Sequence, residues 1–244
     1  RYEQDISPEF KKYLEGFCAG INAYTKKHWK DEKFVKKAFP ITPKDVVASY
    51  VFSLSVICNA HKPIQKTIGN KFDKEEVPMG SNAFAMNSAA TEDGKTYLAV
   101  NPHMPYDGAF SWYEAHLNSE EGLNILGGLF PGGVCVFLGT NENLGWTHTW
   151  NGLDLVDTYK LKMHPKKKFL YEYDGEWLKL EKRPVWLKVK VGGIVIPVKM
   201  MSYWSKYGPT LRSKKGKMFY SVKCPASEDI RVANQWFNMN KASN

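Results

Sequence analysis

Cysteines and long apolar runs are scarce in this sequence of 244 residues. No run of 18 apolar residues occurs, so the sequence predicts no membrane-spanning helix. The four cysteines include no Cys-X-X-Cys pair and no spacing typical of a metal site, and they indicate no particular redox compartment. Most of them fall in helical or apolar patterns, which predicts buried thiols. They are Cys18, Cys58, Cys135 and Cys224.

A recognisable export signal is also missing, and the chain opens on a charged stretch without Met. We therefore expect an internal or processed piece of a longer protein. An apolar share of 43% and an aromatic share of 14% allow a sizeable core. The length fits one large domain or two small ones.

Acidic residues are the minority charge, with 25 Asp and Glu against 34 Lys and Arg, which gives a net charge of +9. The excess is local, because residues 160–217 contain fourteen Lys and two Arg but only four acids. Such an excess can indicate binding to nucleic acid or to an anionic membrane. No nucleic-acid motif accompanies it, so the sequence favours a solvated lysine face on a sheet and no nucleic-acid partner.

Two helix starts have the same design, with a capping hydroxyl before a proline: Ser7-Pro8 and Thr42-Pro43. The second helix is predicted to end near Cys58. Residues 61–80 contain two Pro, two Gly and mixed charges, which indicates a linker or surface loop. The first helix is predicted to place apolar side chains on one face at helical spacing. These are Phe10, Leu14, Phe17, Ile21 and Tyr24.

From residue 81 onward the pattern changes to short apolar or alternating runs separated by turns, which predicts a series of β-strands. The runs "WLKVKV" and "IVIPVKM" flank Gly192-Gly193, an arrangement typical of a hairpin with a two-residue turn. Leu187, Val189 and Val191 then share one face of the first strand.

Gly80-Ser81-Asn82 stands between the polar segment and the first strand-like run, and by itself it is typical of a turn. The same position suits a nucleophile at a newly made N-terminus. A serine there carries a hydroxyl and a free α-amine on one residue, and an amine with a pKa of about 8 can act as the base. Backbone cleavage must first free that amine, and Gly80 lets the chain bend at the scissile bond.

Several motifs follow Ser81 in an order that resembles a known protein family. Asn101-Pro102-His103 is followed by "WYEAHL", "GGLFPGG", "GTNENLGWTHTWNGLDLVDTY", "YGP" and "QWFNMNKAS". Their order and spacing resemble the penicillin acylase family of N-terminal nucleophile hydrolases. The sequence is most similar to the branch of acyl-homoserine lactone acylases and aculeacin acylases. The resemblance covers essentially the whole chain.

The resemblance implies an α+β protein with an αββα sandwich, made as a precursor that cuts itself between Gly80 and Ser81. Residues 1–60 would be the helical end of the α chain, 61–80 the spacer, and 81–244 the first part of the β chain, including its β-rich, lysine-rich segment 160–220. Its partners would be the remaining segments of the same precursor. Export to a bacterial periplasm, or secretion, is also implied.

By the same resemblance, Ser81 is the nucleophile of an amidohydrolase that cleaves an N-acylated substrate through an acyl-enzyme. Its own α-amine is the base, and His103 orients or tunes that amine. The backbone N–H of Trp150 serves the oxyanion hole, although relatives usually carry Val or Ala there. Met104 and Phe137, together with the Trp150 indole, would line the acyl pocket; the alternative for Met104 and Phe137 is an ordinary core role.

A second oxyanion donor, an Asn, would lie beyond residue 244, so we expect the 244-residue piece alone to be inactive. The resemblance implies no required cofactor. It leaves a structural calcium ion as a weaker expectation, with Asp154, the Val156 carbonyl and Asp157 as oxygen ligands. Turn and cap residues are the alternative for these acids.

Three hypotheses stay open from the sequence. The first is the self-processing acylase, with an acyl-homoserine lactone, a penicillin or an acylated peptide as the substrate. The second is a catalytically silent relative that acts as a binding or structural module, which the unusual Trp150 favours slightly. The third, a basic nucleic-acid binder, ranks far below both and would show strongly salt-dependent binding.

Overall fold

The computed structural model describes residues 1–28, 38–68, 80–192, 194–213, 216 and 218–244. Within these residues the helices are α1 Tyr2–Asp5, α2 Pro8–Lys27, α3 Pro43–Ile57, α4 His61–Ile68, α5 Pro225–Glu228 and α6 Val232–Lys241. The first strands are β1 Gly80–Met86, β2 Tyr97–His103, β3 Tyr113–Ser119, β4 Leu123–Leu129, β5 Leu138–Thr140 and β6 Gly145–Trp146. The later ones are β7 Asp157–Lys160, β8 Leu170–Tyr173, β9 Glu176–Lys179, β10 Glu181–Val191, β11 Ile194–Ser205, β12 Gly208–Arg212 and β13 Phe219–Lys223.

The chain forms two compact units. The first contains the described residues of Arg1–Tyr50, Glu75–Leu153 and Ile230–Asn244, and the second those of Val51–Lys74 and Asp154–Asp229. The mixture of helix and antiparallel sheet agrees with the predicted α+β class. The αββα sandwich stays a prediction. So does the division at residues 60 and 80, since it concerns backbone cleavage rather than packing.

Both predicted helix starts are confirmed. The Ser7 hydroxyl accepts a hydrogen bond from the backbone N–H of Phe10 at 3.2 Å, as an N-cap does. At the second start the Asp45 carboxylate accepts the Thr42 N–H at 2.8 Å, which closes a reciprocal cap. The helix α3 ends at Ile57, one residue from the predicted end.

The interpretation of residues 61–68 as a loop is wrong, because they form the helix α4. Pro63 lies in the first turn of α4, where a missing backbone N–H costs no helical hydrogen bond. The helix also packs on β12 and β13, contacts that no local pattern reveals. Residues 69–79, the rest of the predicted linker, lie outside the described residues.

One residue of the predicted apolar face of α2 is also wrong. Tyr24 is 61% exposed, and Thr25 is buried instead. At 3.6 residues per turn the buried residues lie toward the Cys18 side of the helix, and Tyr24 lies on the other side of Phe10. Phe10 and Leu14 are fully buried as predicted. None of the helices in the described ranges is both long and apolar enough to cross a membrane.

In the first unit, β1 pairs with β2, and β3 to β6 form a four-stranded antiparallel sheet in sequence order. Gly127 and Gly139 face each other across β4 and β5. A Cβ at Gly127 would overlap the carbonyl oxygen of Leu138, and one at Gly139 would overlap that of Leu126. These two strands therefore approach more closely than any residue with a side chain allows.

The connection between β4 and β5 is held by side chains from three helices. Tyr13 of α2 donates its hydroxyl to the Val134 carbonyl at 2.8 Å, and Tyr50 of α3 accepts the Val134 N–H at 3.1 Å. The buried Asn240 of α6 bonds both backbone groups of Val136 at 2.8 Å. Because every buried polar group needs a partner, this network fixes the segment that leads to Phe137.

The second unit contains a five-stranded antiparallel sheet in the order β10-β11-β12-β13-β7 and the pair β8-β9. Leu161, Tyr171, Leu180 and Phe219 form its core. The predicted hairpin is confirmed, because Val191 pairs with Ile194 across the turn and Gly192 has a φ of +59°. Gly193 itself lies outside the described residues.

All four thiols are free, and three of them are buried, while Cys58 is half-buried. Burial raises the pKa of Cys135 to about 12, although a hydrogen bond with Tyr50 acts in the opposite direction. A thiol held in its protonated form is a poor nucleophile. Cys135 is therefore a structural residue, as predicted.

Candidate active site

The antiparallel pair of β1 and β2 brings Ser81 and His103 into one small region. Gly80 is the register partner of His103, and Ser81 is the partner of Pro102. A Cβ built on Gly80 would lie 3.4 Å from Nδ1 of His103, so the imidazole lies against the backbone just ahead of Ser81. A glycine at position 80 leaves room for this approach.

Asn101 is a neighbour of His103 whose role the sequence did not reveal. Its side-chain nitrogen lies 3.3 Å from Nε2 of His103 on the same face of β2. An amide nitrogen can only donate, so Nε2 accepts this bond, and Nδ1 is the ring nitrogen that is near Gly80. The sequence could have indicated this contact, because residues 101 and 103 are two apart on a strand and so point to the same side.

Ser81 and Trp150 are joined directly. The backbone N–H of Trp150 donates a hydrogen bond to Oγ of Ser81 at 3.0 Å, across 69 residues of sequence. A reacting atom bound at Oγ would thus have a backbone donor within hydrogen-bonding reach. A fixed N–H at such a point can stabilise negative charge that develops during acyl transfer. The indole of Trp150 is 38% exposed.

The segment that carries Trp150 is anchored by a tryptophan from α6. Nε1 of Trp236 donates to Nε2 of His148 at 2.9 Å. Packing around the ring lowers the pKa of His148, while a backbone hydrogen bond with Phe137 acts in the opposite direction. A neutral imidazole is required to accept this bond, because a protonated one has no free lone pair. The motif containing Trp236 was visible in the sequence, but its pairing with a residue 88 positions away was not.

We expect the stability of the full-length protein to fall as the pH drops below about 6.5, the ordinary histidine pKa. The pKa of His148 is lowered in the folded state, so the unfolded chain binds its proton first and acid favours unfolding. The variant His148→Gln keeps an acceptor and cannot titrate, so its melting temperature should depend less on pH. Thermal unfolding between about pH 5 and pH 7.5 measures this.

His116→Gln is the matched control for that measurement, because His116 is an exposed histidine on β3. It controls for the loss of an imidazole at the surface, and His148→Gln should flatten the pH dependence more than His116→Gln does. Equal slopes for the unmodified protein and His148→Gln would contradict the role given to His148.

The two predicted pocket residues, Phe137 and Met104, differ in how far they are buried. Phe137 is only 8% exposed and lies in an aromatic cluster, with ring centroids 4.3 Å from Trp236 and 4.9 Å from Phe130. Met104 is half-buried and follows His103 at the end of β2. Phe137 therefore has little surface left for a ligand, and the pocket role of both residues stays a prediction.

The predicted calcium ligands lie at the start of the second unit. Asp154 and Asp157 are exposed, and the Asp157 carboxylate accepts a hydrogen bond from the Tyr159 hydroxyl at 3.5 Å. Two carboxylates and one carbonyl are fewer than the six to eight oxygen ligands that Ca²⁺ takes. Among the described residues, no group of three His, Cys, Asp or Glu side chains is arranged to hold a metal ion. Calcium binding stays a prediction.

A cavity of about 410 Å³ opens elsewhere in the first unit, beside α2. Tyr13, Phe17, Leu123 and Phe237 supply its apolar walls, and Glu9, Glu121 and two lysines lie at its rim. None of the predicted site residues lines this cavity. It is therefore distinct from the region around Ser81.

Several known proteins are similar in sequence to this chain. The family model described as penicillin amidase matches residues 1–244. Over 171 residues the chain is 34% identical to the acyl-homoserine lactone acylase PvdQ of Pseudomonas fluorescens (strain Pf0-1). This alignment covers 68% of this chain and 22% of the relative. Over 147 residues it is 26% identical to the aculeacin-A acylase of Actinoplanes utahensis, in an alignment that covers 60% of this chain and 18% of the relative.

Among solved structures, the thermostable penicillin G acylase from Alcaligenes faecalis matches 55% of this chain and 24% of its own, at 24% identity and a TM-score of 0.47. The chain thus spans about a fifth of the length of the curated relatives it matches.

Proposed function

Because the chain belongs to the penicillin amidase family, as its motifs predicted, we propose that the full-length protein cleaves the amide bond of N-acylated substrates. Ser81 is the nucleophile of this reaction. The hydrogen bond from the Trp150 N–H to Ser81 Oγ, at 3.0 Å, is the observation that supports this role most strongly.

In the proposed reaction, Oγ of Ser81 attacks the carbonyl carbon of the amide, and its proton passes through a water molecule to the α-amine of Ser81. The oxygen of the tetrahedral intermediate accepts the Trp150 N–H. The C–N bond then breaks, and the amine leaves with the proton. Water hydrolyses the resulting ester, which releases the carboxylic acid and regenerates the hydroxyl.

A free α-amine requires cleavage of the bond between Gly80 and Ser81 in the precursor. His103 lies close to that bond, because its ring is against Gly80. Its Nε2 is held by the side chain of Asn101. We propose that His103 orients the freed amine. The remaining segments of the precursor complete the site with a second oxyanion donor, and the 244-residue piece alone is inactive.

The proposed substrates share an apolar acyl group on an amide nitrogen, and an acyl-homoserine lactone, a penicillin and an acylated peptide all meet this description. The relatives' names include a homoserine lactone acylase and an aculeacin acylase, which supports that substrate class. We expect the indole of Trp150 to limit the size of the acyl group. A bacterial periplasm, or the medium outside the cell, is the proposed location.

The test is to purify the full-length protein and determine the N-termini of its chains by sequencing and intact mass. We expect one chain to begin at Ser81 and the preparation to hydrolyse at least one N-acylated substrate. Acyl-homoserine lactones, penicillins and acylated peptides are assayed in parallel. An uncut chain that cleaves none of them would contradict the proposal and favour the silent, binding-module alternative.

A further inference from the structure

The hairpin of β10 and β11 exposes a continuous apolar face. The face is built from three cross-strand pairs, in which Leu187 lies opposite Val198, Val189 opposite Ile196, and Val191 opposite Ile194. Each of these six side chains is at least 38% exposed, and Ile194 at the tip is 72% exposed. The strands have 11 and 12 residues, so the hairpin is about 35 Å long. A continuous apolar patch of this kind marks an interaction surface.

The opposite face of the same hairpin has a different chemistry. Lys188 and Lys190 of β10 alternate with the apolar residues and so point to the other side, where Trp186 pairs with Lys199. This is the solvated lysine face that the sequence predicted. This opposite face is mixed, because Lys188 lies opposite Pro197 and Lys190 opposite Val195, whereas the face described above has no charged residue among its six. An antiparallel sheet is typically covered on its more apolar side.

The strand β10 is also an edge of its sheet. Within the described residues, β11 pairs with it on one side and no strand pairs with it on the other. Every residue of β10 is exposed. In an antiparallel pair the N–H groups of alternate residues point away from the partner strand, here toward the open edge. An open apolar edge of this length promotes aggregation unless another segment covers it.

We propose that the apolar face, formed by Leu187, Val189, Val191, Ile194, Ile196 and Val198, is the docking surface for another segment of the same polypeptide that lies outside these 244 residues. The inference rests on the longer precursor proposed above. The curated relatives are four to five times as long as the matched part, since 22% of the relative is covered. A segment of the same polypeptide would be a permanent partner, and permanent interfaces are more hydrophobic than transient ones. The six-residue face, which has no charged side chain, fits a permanent interface.

The test compares two cysteine variants of the full-length protein, Val189→Cys on the apolar face and Lys190→Cys on the lysine face of the same strand. Each is labelled with a water-soluble thiol reagent, and mass spectrometry of the hairpin peptide separates this label from that on the native cysteines. We expect labelling at position 189 to be at least about tenfold slower than at position 190, because covered positions react only through local opening.

Ile196→Cys and Val195→Cys repeat the comparison on β11, in case one variant fails to fold. Equal labelling rates within both pairs would overturn the proposal. Protection that disappears on dilution would show a second copy as the occupant, and protection that requires added vesicles of anionic lipid would show a membrane surface. Either result would also overturn it. Labelling needs neither processing nor turnover, so an inactive protein can still protect position 189.

Discussion

Ser81→Ala is expected to lower the rate of amide hydrolysis by the full-length protein by about 10⁴-fold or more, which is the scale of losing a covalent nucleophile. The methyl group can neither attack the substrate nor form an acyl-enzyme. The same variant should stay uncut between Gly80 and Ser81 if the hydroxyl also drives processing. Steady-state kinetics and intact mass measure the two effects on one preparation.

Two variants make the Ser81 result specific. Ser88→Ala, at an exposed serine just after β1, removes a hydroxyl from the same region and should leave kcat unchanged. Ser81→Cys keeps a nucleophile beside the α-amine and should retain processing and part of the activity. Unchanged activity in Ser81→Ala would leave the proposed mechanism without its central residue.

Trp150→Pro is expected to lower kcat by about 10²–10³-fold, the usual effect of losing one oxyanion donor. Proline has no backbone N–H, so the bond to Ser81 Oγ at 3.0 Å cannot form. The loss should appear in kcat more than in KM, because the donor acts on charge that develops in the transition state. Thermal unfolding of the same preparation checks that the protein stays folded.

Trp150→Ala is the matched control, since it keeps the N–H and removes only the indole. We expect it to retain most of kcat and to accept longer or bulkier acyl groups, which a series of acyl chain lengths measures. If the alanine and proline variants lose equal activity, the side chain of Trp150 matters rather than its backbone donor.

Local features of this protein were predictable because their causes are local. Ser7 and Thr42 cap helices through hydrogen bonds to groups three residues away. The glycines in the sequence at this point predicted the hairpin, in which Val191 pairs with Ile194. Alternation along β10 separates Lys188 and Lys190 from Leu187, Val189 and Val191 without any tertiary contact. The resemblance to the family motifs also predicted Ser81, His103 and Trp150 as site residues.

Other features depended on contacts between distant segments. A proline-containing stretch forms the helix α4, which packs on β12 and β13. The same holds for the site, where Trp236 anchors His148 and thereby the segment that reaches Ser81. A pattern of residue types records periodicity along one element, but it contains no distance between elements. The sequence by itself therefore determined which residues belong to the candidate site, and the tertiary structure decided which of their atoms meet.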